Sequence, residues 1–228
     1  MPKPVLVFDL DGTLVDTAPD LLESLNHCLV HAGLEPARPQ ALRRYVGHGG
    51  RVMIERALEA SGLKPTKSEL DGLQDVFLRH YSDNIPGGSL PYAGALEAID
   101  RFDAAGFGLA ICTNKYQQLS EALIGGLGLA ERFAAICGAD RFAFRKPDPR
   151  HLTETIRVAG GDPHAAIMVG DSRTDIDTAI AAGIPVVAVD WGYTDEHVSA
   201  FRPTTVISHY DELTLDLARR LLEAERRA

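Results

Sequence analysis

Short apolar runs rich in Val and Ile recur along the chain, from Pro4 to Phe8, Gly108 to Cys112, Ala134 to Cys137, Ala166 to Val169, Pro185 to Val189 and Thr204 to Ile207. Runs of this length with no polar alternation suit strands covered on both faces, as in a parallel sheet. Between most of them, apolar positions recur at helical spacing. One such stretch runs from Gly94 to Phe102 and stops before Gly106, where a helix end is expected. Alternating strands and helices predict an α/β fold, a doubly wound parallel sheet of the Rossmann-like kind, with ligands at the carboxyl ends of the strands.

One interval breaks this rhythm. Strand one ends near Phe8 and the next convincing strand begins near Gly108, whereas a parallel crossover needs only about a dozen residues or somewhat more. From Thr17 to Leu90 the pattern is helical. Leu21, Leu22, Leu25, Cys28 and Leu29 form one stripe, Val52, Ile54, Ala57 and Leu58 a second, and Leu70, Leu73, Val76 and Phe77 a third, each at amphipathic spacing. Pro19 suits a helix start and Gly33 a helix end. Pro86-Gly87-Gly88-Ser89-Leu90-Pro91 reads as the return hinge. The expected organisation is a core of residues 1–16 and 91–228 with a helical cap at 17–90.

Composition narrows the function classes. The net charge of -9 over 228 residues disfavours nucleic acid and anionic membranes as partners. It leaves a small ligand, whose negative charge must be met by local cations, a metal or backbone N–H groups. Three cysteines without C-x-x-C spacing suggest neither a disulfide framework nor a zinc site. No apolar stretch approaches the roughly 20 residues of a membrane span, and the N-terminal apolar run is broken early by Asp9. A cytoplasmic protein, monomeric or homodimeric, is expected.

The candidate chemistry lies at strand ends. Asp9 and Asp11 follow the first strand, and a period of two turns both carboxylates to one side. An isolated D-x-D is ordinarily a turn cap, but two close acids also suit a bound cation or a shared proton. Thr113, Asn114 and Lys115 follow the second strand and supply a hydroxyl, an amide and free N–H groups suited to phosphoryl oxygens, or simply a helix cap. Lys146 precedes Pro147-Asp148-Pro149, and that stiff turn fixes an ammonium that could offset a phosphate. Asp171 and Asp175 flank a helix start and offer hard oxygen ligands. Asp177 reads as an ordinary acid near a helix N-terminus. Trp191-Gly192-Tyr193 is read as an aromatic loop at the rim of the core. His27, His31 and His151 lack metal-ligand spacing and are expected at surface or half-buried positions.

In this order the elements resemble a haloacid dehalogenase superfamily phosphatase with a helical cap, over nearly the whole chain. Asp9-Leu10-Asp11-Gly12-Thr13-Leu14-Val15-Asp16 fits that family's first motif, Thr113 its second, Lys146 its third, and Gly170-Asp171 with Asp175 its fourth. The resemblance implies that Asp9 is the nucleophile and Asp11 the general acid–base. It implies Mg²⁺ held by Asp9, Asp11 through its backbone carbonyl, and Asp171, with Asp175 in support, and phosphoryl oxygens met by Thr113, Asn114 and Lys146. Asp11 argues for phosphate esters over carbon–halogen bonds. Imine-forming phosphonate hydrolases would need a cap lysine, and Lys64 and Lys67 lie in a polar loop. Phosphomutase relatives usually carry an apolar residue where Thr13 stands.

Closer likeness to phosphoglycolate-hydrolysing members runs through Asp16-Thr17-Ala18-Pro19-Asp20-Leu21, Val46-Gly47-His48-Gly49, Thr113-Asn114-Lys115 and Gly170 to Ile176. It implies 2-phosphoglycolate as substrate, with sugar phosphates, nucleotides or pyrophosphate as alternatives. The cap loop at His48, Gly49 and Arg51 is either a carboxylate-reading helix N-terminus or a plain helix–helix turn. A phospho-receiver would also gather acids, Thr and Lys, but needs no insert of this size. A silent binding protein on the same scaffold is the remaining non-enzymatic alternative.

Overall fold

The computed structural model describes residues 3–37, 43–194 and 196–225. Strands β1 (Val5–Phe8), β4 (Gly108–Cys112), β5 (Ala135–Cys137), β6 (Ala166–Gly170), β7 (Val186–Val189) and β8 (Thr205–Ile207) form one sheet in the order β5-β4-β1-β6-β7-β8. Every pairing in it is parallel. All six correspond to the apolar runs, with ends shifted by at most one residue. From β1 the chain moves outward through β4 and β5, then returns to build β6, β7 and β8 on the other side. The reversal opens a crevice at the carboxyl ends of β1, β4 and β6, where open α/β sheets bind ligands.

Side-chain alternation by two divides the core into two layers. Leu6, Phe8, Leu109, Ile111, Ile167, Val169, Val187 and Val189 face one side. There they pack on α4 (Ala95–Ala104), α5 (Gln117–Gly126) and α8 (Leu215–Glu225) through Ile99, Phe102, Leu123, Ile124, Ala218 and Leu221. Val5, Val7, Ala110, Cys112, Ala166, Met168, Val186 and Ala188 face the other, against Leu152 and Ile156 of α6 (Pro149–Val158) and Ile176 and Ala179 of α7 (Arg173–Ala182). Both faces of the sheet are thus removed from water, which explains why its strands read as uninterrupted apolar runs.

The insert contains α1 (Ala18–His31), α2 (Gly50–Ala60) and α3 (Lys67–Asn84) around their own cluster of Leu25, Cys28, Leu29, Met53, Ile54, Leu58, Phe77 and Tyr81. Each expected stripe is present, although Met53 takes the buried place in α2 that Val52 was expected to share. Pro19 lies in the first turn of α1, and Gly33 adopts φ +76 just beyond its end. Thr66 and Glu69 close a capping box on α3, satisfying backbone donors that would otherwise be orphaned.

Entry to and exit from the insert are paired, an arrangement with no sequence signal. β2 (Val15–Asp16) and β3 (Leu90–Pro91) form an antiparallel ribbon, Val15 opposite Pro91 and Asp16 opposite Leu90. Leu90, expected in the hinge, therefore belongs to the return strand. Beside the ribbon, the buried carboxylate of Asp20 accepts from the backbone N–H of Gly88 at 2.6 Å, that of Ser89 at 3.1 Å and the Ser89 hydroxyl at 2.5 Å. The first turn of α1 is so tied to the returning chain. No helix among the described residues is long and apolar enough to cross a membrane.

Candidate active site

Asp9 leaves β1 with its backbone N–H bonded to the Val169 carbonyl at 2.9 Å, so the ends of β1 and β6 are in register. Asp171 begins the turn after β6, and Asp175 lies in the first turn of α7. Ser172 caps that helix, its hydroxyl and N–H donating to Asp175 Oδ2 at 2.6 and 3.0 Å. Oxygens of Asp9, Asp171 and Asp175 converge within 4.8 Å of one another, all three residues buried.

One ammonium enters this cluster. Lys146 Nζ lies 2.9 Å from Asp9 Oδ1 and 2.5 Å from Asp175 Oδ1, with its side chain only 2% exposed. Burial alone would lower its pKa, but the carboxylates of Asp175 and Asp9 more than offset that and the pKa is raised. Asp9 is raised above the ordinary carboxylate range by burial and by Asp175, with Lys146 opposing. Asp171 is raised further, by burial and by the charges of Asp175 and Asp9. Asp9 Oδ1 makes no hydrogen bond of good geometry among the described residues. Three carboxylates against one ammonium, all of them oxygen donors, fit a hard divalent cation.

Asp171 is aimed by two donors. Thr13 Oγ1 donates to its Oδ1 at 2.8 Å and the Tyr193 N–H to its Oδ2 at 2.9 Å. This packing admits no side chain at two neighbouring glycines. A Cβ on Gly12, which holds φ +84, would stand 2.7 Å from Asp171 Oδ2, and one on Gly192 would stand 2.2 Å from Asp171 Cβ. The loop carrying Thr13 is held from behind: Tyr210 Oη donates to the Thr13 carbonyl at 2.9 Å, and the Trp191 ring packs 5.0 Å from that of Tyr210.

Thr113, at the end of β4, is buried, and its Oγ1 accepts the Lys115 N–H at 3.2 Å. Its own proton is left for an oxygen in the crevice. Asn114 is not gathered with it: the amide Nδ2 donates to the Lys146 carbonyl at 3.0 Å, so it braces the lysine loop. His151 braces the same loop and is fully buried, not at the surface or half-buried position expected. Its Nδ1 accepts the Lys146 N–H and its Nε2 donates to the Gly138 carbonyl, both at 3.2 Å. Burial, then the nearby Lys146 charge, lowers it to about 4, which keeps the ring neutral and able to accept.

Asp11 is partly buried and pairs with Lys115, whose ammonium had no role assigned from the sequence. Lys115 Nζ donates to Asp11 Oδ1 at 3.0 Å and Oδ2 at 3.2 Å, and it lies 4.4 Å from the ring centre of Tyr81 on cap helix α3. Its place two residues after Thr113, beyond a strand end, was the available signal. Tyr193 was also under-read as a rim aromatic. Besides aiming Asp171, its hydroxyl donates to Asp16 at 2.5 Å and its ring joins the cap's apolar cluster.

Of the cap residues expected to read substrate, Arg51 is engaged by Asp71 at 2.7 Å and Gln74 at 2.8 Å on α3, partly exposed. Gly49 turns the chain into α2 with φ +87. The side chain of His48 lies outside the described residues. Lys64 and Lys67 are exposed.

A Rossmann-like sheet with an inserted helical cap, and acids, threonine and lysine at neighbouring strand ends, defines a class. Residues 6–189 match the haloacid dehalogenase-like hydrolase family, and the chain belongs to that family. Within it, the chain is 65% identical to a phosphoglycolate phosphatase of Mesorhizobium japonicum, covering 98% of this chain and 99% of that one. It is 46% identical to a phosphoglycolate phosphatase of Agrobacterium fabrum, covering 96% and 94%. The fold is similar, with a TM-score of 0.85 and 26% identity over 92% of this chain and 96% of the other, to the crystal structure of a predicted phosphoglycolate phosphatase from Haemophilus somnus.

Proposed function

We propose that this protein is a Mg²⁺-dependent phosphatase that hydrolyses 2-phosphoglycolate to glycolate and phosphate through an aspartyl-phosphate on Asp9. The convergence of Asp9, Asp171 and Asp175, with one buried ammonium between Asp9 and Asp175, carries the phosphoryl-transfer part of this reading. The substrate rests on the near full-length similarity to phosphoglycolate phosphatases.

Asp9, Asp171 and the backbone carbonyl of Asp11 would hold the cation, with Asp175 held off it by Lys146 and Ser172. Bound there, Mg²⁺ supplies positive charge that keeps Asp9 ionised and neutralises the transferring phosphoryl group. Lys146 occupies one oxygen of Asp9, and the other attacks phosphorus as the bond from phosphorus to the ester oxygen breaks. Asp11 gives its proton to that leaving oxygen. It then takes a proton from the water that attacks the aspartyl-phosphate, which releases phosphate and regenerates both acids. The Thr113 hydroxyl and Lys146 stabilise the equatorial oxygens.

The free, buried thiols of Cys28, Cys112 and Cys137 support a reducing compartment such as the cytoplasm. The deciding measurement is phosphate release from 2-phosphoglycolate with Mg²⁺, followed across a panel of small phosphate esters by kcat/KM. Release that chelation abolishes, highest for 2-phosphoglycolate, is expected. A better sugar phosphate or nucleotide would reassign the substrate, and release unaffected by chelation would reject the metal.

A further inference from the structure

We infer that Lys115 is the residue that reads the substrate's second negative group, the carboxylate of 2-phosphoglycolate; this rests on the substrate proposed above. The two lysines of the crevice divide its space. Lys146 sits behind the phosphoryl position, between Asp9 and Asp175. Lys115 sits on the leaving-group side, both of its short carboxylate contacts being to Asp11, the acid that must touch the ester oxygen. In 2-phosphoglycolate a single CH₂ separates that oxygen from the carboxylate carbon. A cation in contact with Asp11 therefore stands where the carboxylate falls.

Three observations make Lys115 more than a surface charge. Its side chain is 5% exposed, against 20% for Asp11. An ammonium this dry strongly favours an anionic partner, and a charge-assisted bond to it counts for more than one in water. The loop that carries it is fixed, because the Lys115 N–H donates to Thr113 Oγ1 and its carbonyl accepts from Ala139 N at 2.9 Å. The third is the Tyr81 ring against the ammonium at 4.4 Å. That cation–π contact comes from the cap, so the reader is complete only when cap and core are seated together. A substrate carboxylate taking the ammonium also relieves Asp11 of its ion pair at the moment Asp11 must exchange a proton. Arg51, one of the cap residues considered for this task, is already paired with Asp71.

The test compares substrates with and without the carboxylate. The Mg²⁺-loaded full-length protein and its Lys115→Met and Lys115→Arg variants are assayed on 2-phosphoglycolate and ethyl phosphate. Inorganic phosphate and 2-phosphoglycolate binding are then measured by calorimetry in an Asp9→Asn background. Lys115→Met is expected to lower kcat/KM for 2-phosphoglycolate by roughly 100-fold, mostly in KM, and for ethyl phosphate by less than about 10-fold. It should weaken 2-phosphoglycolate binding while leaving phosphate binding nearly unchanged. Lys115→Arg should recover part of the preference because it keeps the charge.

Equal losses on both esters, or an arginine variant no better than methionine, would overturn the inference and leave Lys115 as a support for Asp11. A wild-type enzyme with no preference for 2-phosphoglycolate would instead reject the substrate reading, and with it a carboxylate reader. If the methionine variant fails to fold, the arginine variant and the wild-type ratio still decide.

Discussion

Two aspartate–lysine pairs, whose aspartates stand two residues apart, differ in what encloses them. Asp9 and Lys146 are buried in the α/β core, and among the described residues their polar contacts come from core residues such as Asp175, Asn114 and His151. Asp11 and Lys115 stand at the seam, where Tyr81 arrives from the cap. On the proposed reading, the nucleophile is held by the core alone, while the contact that reads the ligand is shared between core and cap. Position at a strand end fixes the first, and the second is shared across the seam between core and cap.

The strongest way to test the sealed pair is to remove its nucleophile. Asp9→Asn is expected to lower turnover by about 10⁴-fold or more with an unchanged circular dichroism spectrum; near wild-type rates would end the nucleophile assignment. At the seam, Asp11→Asn should cost roughly 10²- to 10⁴-fold. The loss should be smaller for esters with good leaving groups, such as p-nitrophenyl phosphate, because they need less proton donation. A uniform loss across leaving groups would argue against proton transfer by Asp11 and leave its carboxylate as a support for Lys115.

The hinge is the next target. Asp20→Ala strands the N–H groups of Gly88 and Ser89 and is expected to cost about 1–3 kcal/mol. It should also speed proteolysis near Gly87 more than cleavage within the core, and unchanged cleavage would deny the clasp a role in seating the cap. A pH dependence is also expected from His151, lowered from its ordinary value of 6.5 to about 4. Between those two pH values the unfolded chain binds a proton that the folded chain refuses. The stability held above pH 6.5 is therefore lost as pH falls toward 4. Thermal melts of the wild type should consequently fall more steeply over that window than those of His151→Gln. Parallel slopes would show that the buried ring does not hold the Lys146 loop in its neutral form.

The comparison also explains what could be read before any coordinates. Buried parallel strands announce themselves because both faces exclude polar residues, and so Asp9, Thr113 and Asp171 could be placed at strand ends from local pattern alone. The ribbon of β2 and β3 has two residues per strand, too few for any periodicity to register. Lys115, Tyr193 and His151 owe their roles to contacts across 104, 177 and 13 residues of sequence respectively. A lone Lys, Tyr or His has no local signature of such a partner. Arg51 illustrates the same limit from the cap: its partner Asp71 is a neighbour that only the packing of α2 on α3 reveals.

The ribbon has a consequence for how such a molecule can change over time. Because the chain leaves the core at Val15–Asp16 and returns beside it at Leu90–Pro91, the sheet sees only a pair of neighbouring ends, whatever lies between them. Closing a longer or shorter insert across so narrow a gap costs little additional entropy, on the order of 0.6 kcal/mol per doubling of length. The register of β1 against β4 and β6 need not shift at all. The helical segment is in that sense an exchangeable cartridge. A different one could be accommodated at the same two ends without disturbing Asp9, Lys146 or Asp171, giving new ligand preferences to an inherited reaction.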